Sequence, residues 1–145
     1  MTFDADDPVV KLCAQGMELE GEAKPAQAMA LFQEAWNIAV NNVQKFTAAH
    51  YLARHQNSVE EKLGWDQTAL SYALQIKDES VLAILPSLYL NIAKCHEDLD
   101  QFTVALKYYQ TAADHLKDLP GSGYGDMIRK GVHAGIERMA NLTSD

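Results

Sequence analysis

Two cysteines, Cys13 and Cys95, are all that the 145 residues contain, and they stand far apart. Neither a CxxC pair nor a dense cysteine framework is present, so both thiols are expected buried and reduced. No apolar run approaches the roughly 18 residues that a membrane span requires. The N-terminal MTFDADDPVVKLC is acidic and lacks a long apolar core, so a secretory signal is not expected. Cations are scarce: 12 Lys and Arg stand against 20 Asp and Glu, a formal net charge of −8. Binding to nucleic-acid phosphates relies on clustered Lys and Arg, so that class of partner is not expected. HxxxH, HExxH and CxxC are all missing, and His50 and His55 are five apart, on different helix faces, so no metal site is expected. The glycines of GSGYGD follow no strand, as a dinucleotide fingerprint would demand, and read as a helix–helix connection. A cytoplasmic protein follows, without cofactor, metal, membrane or nucleic-acid partner. Its length and its 48% hydrophobic, 22% charged composition suit a single domain over 1–145.

What is present is helical patterning, repeated. In YLNIAKCHEDLDQFTVALKYYQTAADHLKDLP, Tyr89, Ile92, Ala93 and His96 form one cluster. Ala105 and Tyr109 form a small-x3-aromatic step, and Pro120 closes the segment. Upstream, Leu12, Gly16 and Leu19 match the first cluster, and Ala28, Phe32 and Ala35 the second. Gly16 to Ala28 and Ala93 to Ala105 are both 12 residues. Small residues there let paired helices approach closely, while the aromatic four residues on covers the crossing. Gly21 and Pro25 mark the turn between the helices. A third, degraded copy lies between: AAHYLARHQNS with Leu52 and Ala53, then a helix from Val59 to about Lys77. Its stripe is Trp65, Ala69, Tyr72, Ala73 and Ile76. Trp65 stands where the pattern prefers Ala. The register is stretched, with 37 residues from Gly16 to Ala53 and 40 from Ala53 to Ala93.

Pro86 starts a helix or kinks a longer one. After Pro120, Gly125 or Asp126 is expected to cap a last helix through about Ala140, with Met127, Ile128, Val132, Ile136 and Met139 as its apolar side. Asp4, Asp6 and Asp7 precede or enter a first helical turn, where the macrodipole favours negative charge. Residues 1–7 and 141–145 are expected to fray.

This pattern resembles the tetratricopeptide repeat (TPR), whose ideal period is about 34 residues. AHYLARHQ, WDQTALSYALQI, PSLYLNIAKCHEDL and GYGDMIRKG extend the likeness to small stand-alone bacterial TPR proteins over roughly Val9 to Ala140. The resemblance implies an all-α, right-handed superhelix. Its helix pairs would span about 9–42, 46–80 and 86–119, with a capping helix over 125–140. It implies no catalytic residue.

In that architecture the first helix of each pair lines the concave wall. His50, Arg54 and Asn57 recur at i, i+4 and i+7 on one face. Asn91 and Lys94 form a comparable face, and Arg129 with His133 adds another from the capping helix. Together these seven residues predict a locally basic groove for a protein or peptide segment, including one bearing an anionic group. Some TPR proteins hold a partner's terminal carboxylate with Lys, Asn and Arg on this wall; here the first copy carries Cys13, Met17 and Glu20 instead. Arg54 and Lys94 can equally neutralise Glu20, Glu97 or Asp98. Tyr109 and His96 read as packed residues, and Tyr108 as the surface aromatic.

A protein-binding adaptor is the leading expectation. The alternative is a self-associating module using the face around Val9, Val10 and Leu12. An enzyme, such as a nucleotide-dependent transferase, lacks its glycine turn after a strand. The neighbours Cys95 and His96 lie about 100° apart on a helix, and only Cys13 with His50 offers a further thiol–imidazole pairing.

Overall fold

The computed structural model describes residues 4–144. Among these the chain is all-helical, without a strand, and it divides into two compact units at Lys77 and Asp78. The termini expected to fray are partly helical: helix runs to Thr143, while residues 1–3 and 145 lie outside the described residues.

The first unit holds α1 (Pro8–Gly21), α2 (Pro25–Ile38), α3 (Asn42–Leu52) and α4 (Val59–Ala73), with one 3-10 turn, Ala53–His55, extending α3. Each start has a local cause. Asp7 Oδ1 accepts from the N–H of Val9 at 2.8 Å and of Val10 at 3.3 Å, and Pro8 follows it. Asn41 and Gln44 form a reciprocal capping box at α3. Ser58 caps α4 through the Glu61 N–H at 3.1 Å. Helix α4 ends at Ala73, short of the expected Lys77, so Ile76 lies beyond the helical stripe.

Helices α1, α2 and α3 pack on one another, and α4 on α3. Their core joins Val9, Cys13, Ala28, Phe32, Ala35, Ala39, Ala48 and Leu52. Of the face read as a self-association surface, Val9 is fully buried, while Val10 and Leu12 are half-buried. Trp65, the residue out of pattern, packs edge-on to Trp36 with ring centroids 5.0 Å apart.

The second unit opens with a 3-10 segment, Glu79–Ala83, followed by α5 (Leu85–Asp98), α6 (Phe102–Asp114), a 3-10 turn at Leu116–Asp118, and α7 (Gly123–Thr143). Pro86 occupies the first turn of α5, where its missing N–H costs little. The cap of α7 is Ser122, ahead of the expected Gly125 or Asp126. Ile128, Val132 and Met139 of α7 are buried as expected, and Ile136 packs beside them, but Met127 is 60% exposed.

The turns joining α1 to α2 and α5 to α6 repeat residue for residue. The Lys24 N–H donates to Leu19 O at 2.9 Å, as Gln101 does to His96 O at 2.9 Å. Ala23 N–H meets Glu20 O at 3.0 Å, and Asp100 N–H meets Glu97 O at 3.0 Å. Ala23 and Asp100 have φ of 60° and 59°, the left-handed residue that closes a helix end. Ala28 matches Ala105, Phe32 matches Tyr109 and Ala35 matches Ala112, all buried. A Cβ placed on Gly16 would lie 2.3 Å from Phe32 Cε1, and one on Gly135 of α7 would lie 2.3 Å from Tyr109 Cε1.

Candidate functional site

In the first unit the chain gathers polar side chains where α1 ends beside the end of α3. Glu20 Oε2 receives Arg54 Nε at 3.3 Å and the His55 imidazole Nε2. Phe32 stacks against Tyr51 at 5.2 Å and His55 at 6.1 Å, and the Arg54 guanidinium lies over Tyr51 at 5.6 Å. His50 sits one turn before Arg54 and lies between Phe46 and Tyr51, with ring centroids at 6.0 and 5.6 Å. Its Nδ1 is buried without a hydrogen-bond partner. Burial lowers the pKa of His50 and so favours the neutral ring, against the opposing pull of Asp66.

At helical spacing, Val43, Thr47, His50 and Arg54 follow one another along α3. The far end of this line opens into a cavity of about 440 Å³ bounded by Asp7, Val10, Val43, Gln44, Thr47 and Ile76, among others. Gln44 Nε2 donates to Asp7 Oδ2 at 2.9 Å, tying the starts of α1 and α3 together beside it. The sequence reading missed this cavity. Its walls come from helix ends distant in sequence, and only the capping pair Asn41–Gln44 signals one of them.

The seven residues expected to line one groove divide between the units, His50, Arg54 and Asn57 in the first and Asn91, Lys94, Arg129 and His133 in the second. His50 and Arg54 stand together, but Asn57 lies past the 3-10 turn, its N–H on Glu61 Oε2 at 3.3 Å. Lys94 pairs within its own helix with Asp98 at 2.9 Å. Arg129 is spent on the loop before α7: Nη2 donates to Leu119 O at 3.1 Å and Pro120 O at 3.3 Å, and Nη1 meets Asp126 at 3.1 Å. Asn91 is half-buried on α5, and His133 is exposed on α7. The cations Arg54, Lys94 and Arg129 are thus each neutralised by a carboxylate of the same unit.

A second polar network, half-open to solvent, was not foreseen. Tyr109 donates its hydroxyl to Glu97 Oε1 at 2.6 Å, and Arg138 holds both oxygens of the same carboxylate. Nothing in a one-dimensional pattern ties Arg138 to Glu97, which is 41 residues away.

Cys13 is buried, and burial with the nearby Asp7 charge pushes its thiol up to about 12, so it is protonated at neutral pH. No group of three or more His, Cys, Asp or Glu among the described residues is arranged to hold a metal, and no helix there is long and apolar enough to cross a membrane. No known family model, curated protein or solved structure matches the chain.

Proposed function

We propose that this chain is a TPR-like binding module, placed in the cytoplasm, which takes a segment of a partner protein along the α1–α3 wall of its first unit. The observation that carries this reading is the repeated turn of α1–α2 and α5–α6, matched in hydrogen bonds and in the left-handed residue. Helix pairs of that kind stack to expose extended binding surfaces. The open cavity at one end of the α3 line and the Arg54–Glu20 pair at the other give the wall an apolar-polar anchor and a charged anchor. An anionic group of the partner competes with Glu20 for Arg54.

Partner co-purification from the native host is the first test, followed by affinity measurement. Arg54→Glu is expected to weaken binding, and Glu20→Gln, which frees Arg54, to strengthen binding of an anionic segment. Lys94→Glu serves as the comparison in the second unit. Unchanged affinity in both first-unit variants would overturn the site.

Self-association is the second reading, favoured by Tyr124 and Met127, which are 50% and 60% exposed near the start of α7. Sedimentation at micromolar concentration, with Met127→Glu alongside, tests it. A strict monomer removes it.

A further inference from the structure

Away from the α1–α3 wall, two aromatic side chains of the first unit meet Trp36. Trp65 of α4 packs edge-on to its ring at 5.0 Å, and Tyr72 of α4 does so at 6.1 Å. The ammonium of Lys45, from α3, lies 4.2 Å from the Trp36 ring centroid. All four side chains are half-buried, so the cluster reaches solvent. On α3, Lys45 is on the opposite side from Val43, Thr47, His50 and Arg54, so this is a different surface.

Lys45 is a lysine seated on an aromatic face. Lys24, Lys62 and Lys94 sit beside carboxylates, whereas Lys45 has no carboxylate partner among the described residues and rests on the π face. The indole face is the strongest of the aromatic cation acceptors, and its hold at a partly exposed site is weak enough to exchange. Lys45 therefore demonstrates the chemistry the surface accepts. It is an internal occupant that an incoming cation can replace. The chain as a whole carries a net charge of −8, and exposed Glu61 stands one turn before Trp65 on α4, so cations are drawn towards this region.

We propose that Trp36, Trp65 and Tyr72 form a cation-accepting platform that seats a lysine or arginine side chain of a basic protein segment, with Lys45 holding the place in its absence. This interaction stands apart from the α1–α3 wall, and a failure to find a partner there leaves it untouched.

The chain contains two tryptophans, both in the platform, so their fluorescence reports on it directly. The experiment titrates hexalysine into the full chain and into Trp65→Phe, in which Trp36 is the sole tryptophan. Hexaglutamate and sodium chloride at matched ionic strength serve as controls. A saturable change with hexalysine alone is expected, and Lys45→Ala should tighten it about two- to five-fold by removing the competitor. Lys45→Gln, which keeps most of the side chain, should do the same. Three results would overturn the proposal: no saturable change, an equal change with salt, or a gain from the Lys45 variants no larger than that from Lys11→Ala, which removes an exposed charge of the same unit away from the platform. The last marks general adsorption of a polycation to an acidic body.

Discussion

Arg138 grips Glu97 in fork geometry, Nε to Oε2 at 3.0 Å and Nη2 to Oε1 at 2.9 Å, and so fastens α7 to the end of α5. The first unit has a counterpart. Glu20, at the matching position of α1, is held by Arg54 and His55 from the end of α3. In both units a carboxylate at the end of a pair's first helix is tied by an arginine from the next helix to pack on it. Two charge-assisted hydrogen bonds fix orientation as well as distance, which an apolar contact does not.

Loss of the second-unit clasp should be measurable. Glu97→Gln and Arg138→Met are each expected to cost about 1–2 kcal/mol of unfolding free energy, read by urea denaturation. The pH dependence has a definite sign. Hydrogen bonds from Arg138 hold the Glu97 carboxyl below its ordinary 4.5, so its contribution is complete above that value and fades as pH falls through the folded pKa. Burial and the same carboxylate hold Tyr109 well above its ordinary 10.0, so that contribution fades as pH rises past about 10. The contribution of this clasp should therefore be flat between these limits. Glu97→Gln should flatten the acid limb, and Tyr109→Phe the alkaline one.

Helix propensity and packing make opposite forecasts for the glycines, and the distances decide between them. Alanine is favoured over glycine in a helix interior by about 1 kcal/mol. At Gly16 and Gly135 the new Cβ would stand 2.3 Å from a buried aromatic ring, and overpacking costs about 1–3 kcal/mol. At Gly64, inside α4, a Cβ meets nothing within 4 Å. Gly64→Ala should raise the thermal midpoint, while Gly16→Ala and Gly135→Ala lower it. Equal effects at all three positions would contradict the packing account.

The helices and their pairing were legible because small and aromatic residues recur at fixed spacing. Gly16, Ala28 and Phe32 announce one close crossing; Ala93, Ala105 and Tyr109 announce another. Ends were less legible. Ser122, Asn41 and Ser58 decide where helices start through one or two local hydrogen bonds each, and α4 stops at Ala73 although an apolar residue, Ile76, follows in phase. The candidate site was the least legible. Helical spacing puts His50 and Arg54 on one face, but it carries no information on which carboxylate meets Arg54, or that Arg129 is consumed by backbone carbonyls. Those pairings depend on tertiary approach, as does the cavity beside Asp7 and Val43.

The repeated turn carries strain that substitution can relieve. Ala23 and Asp100 occupy the left-handed region, which costs a residue with a Cβ roughly 1–2 kcal/mol unless a short polar side chain compensates. Ala23→Gly should therefore stabilise the first unit by up to about 1 kcal/mol. Asp100→Gly should gain less, since aspartate tolerates this conformation better. Reversal of that order, measured by urea denaturation, would show that contacts of Ala23 outweigh its backbone.

Thiol chemistry gives the cleanest kinetic check on the first unit's core. Cys13 and Cys95 are each 2% exposed. For Cys13, burial first and Asp7 second push the pKa up to about 12, so at pH 8 the thiolate is a minute fraction even before access is considered. Labelling of Cys13 by an aromatic disulfide reagent, followed in a Cys95→Ala background, should be slow in native protein and rapid in urea. Its rate should rise with variants that loosen the α1–α2 crossing, Gly16→Ala foremost, since Cys13 belongs to the same core as Phe32. Asp7→Asn removes the smaller cause and the charged cap of α1 together. It should lower the thiol pKa modestly yet leave labelling limited by opening of the core, because burial is the larger cause.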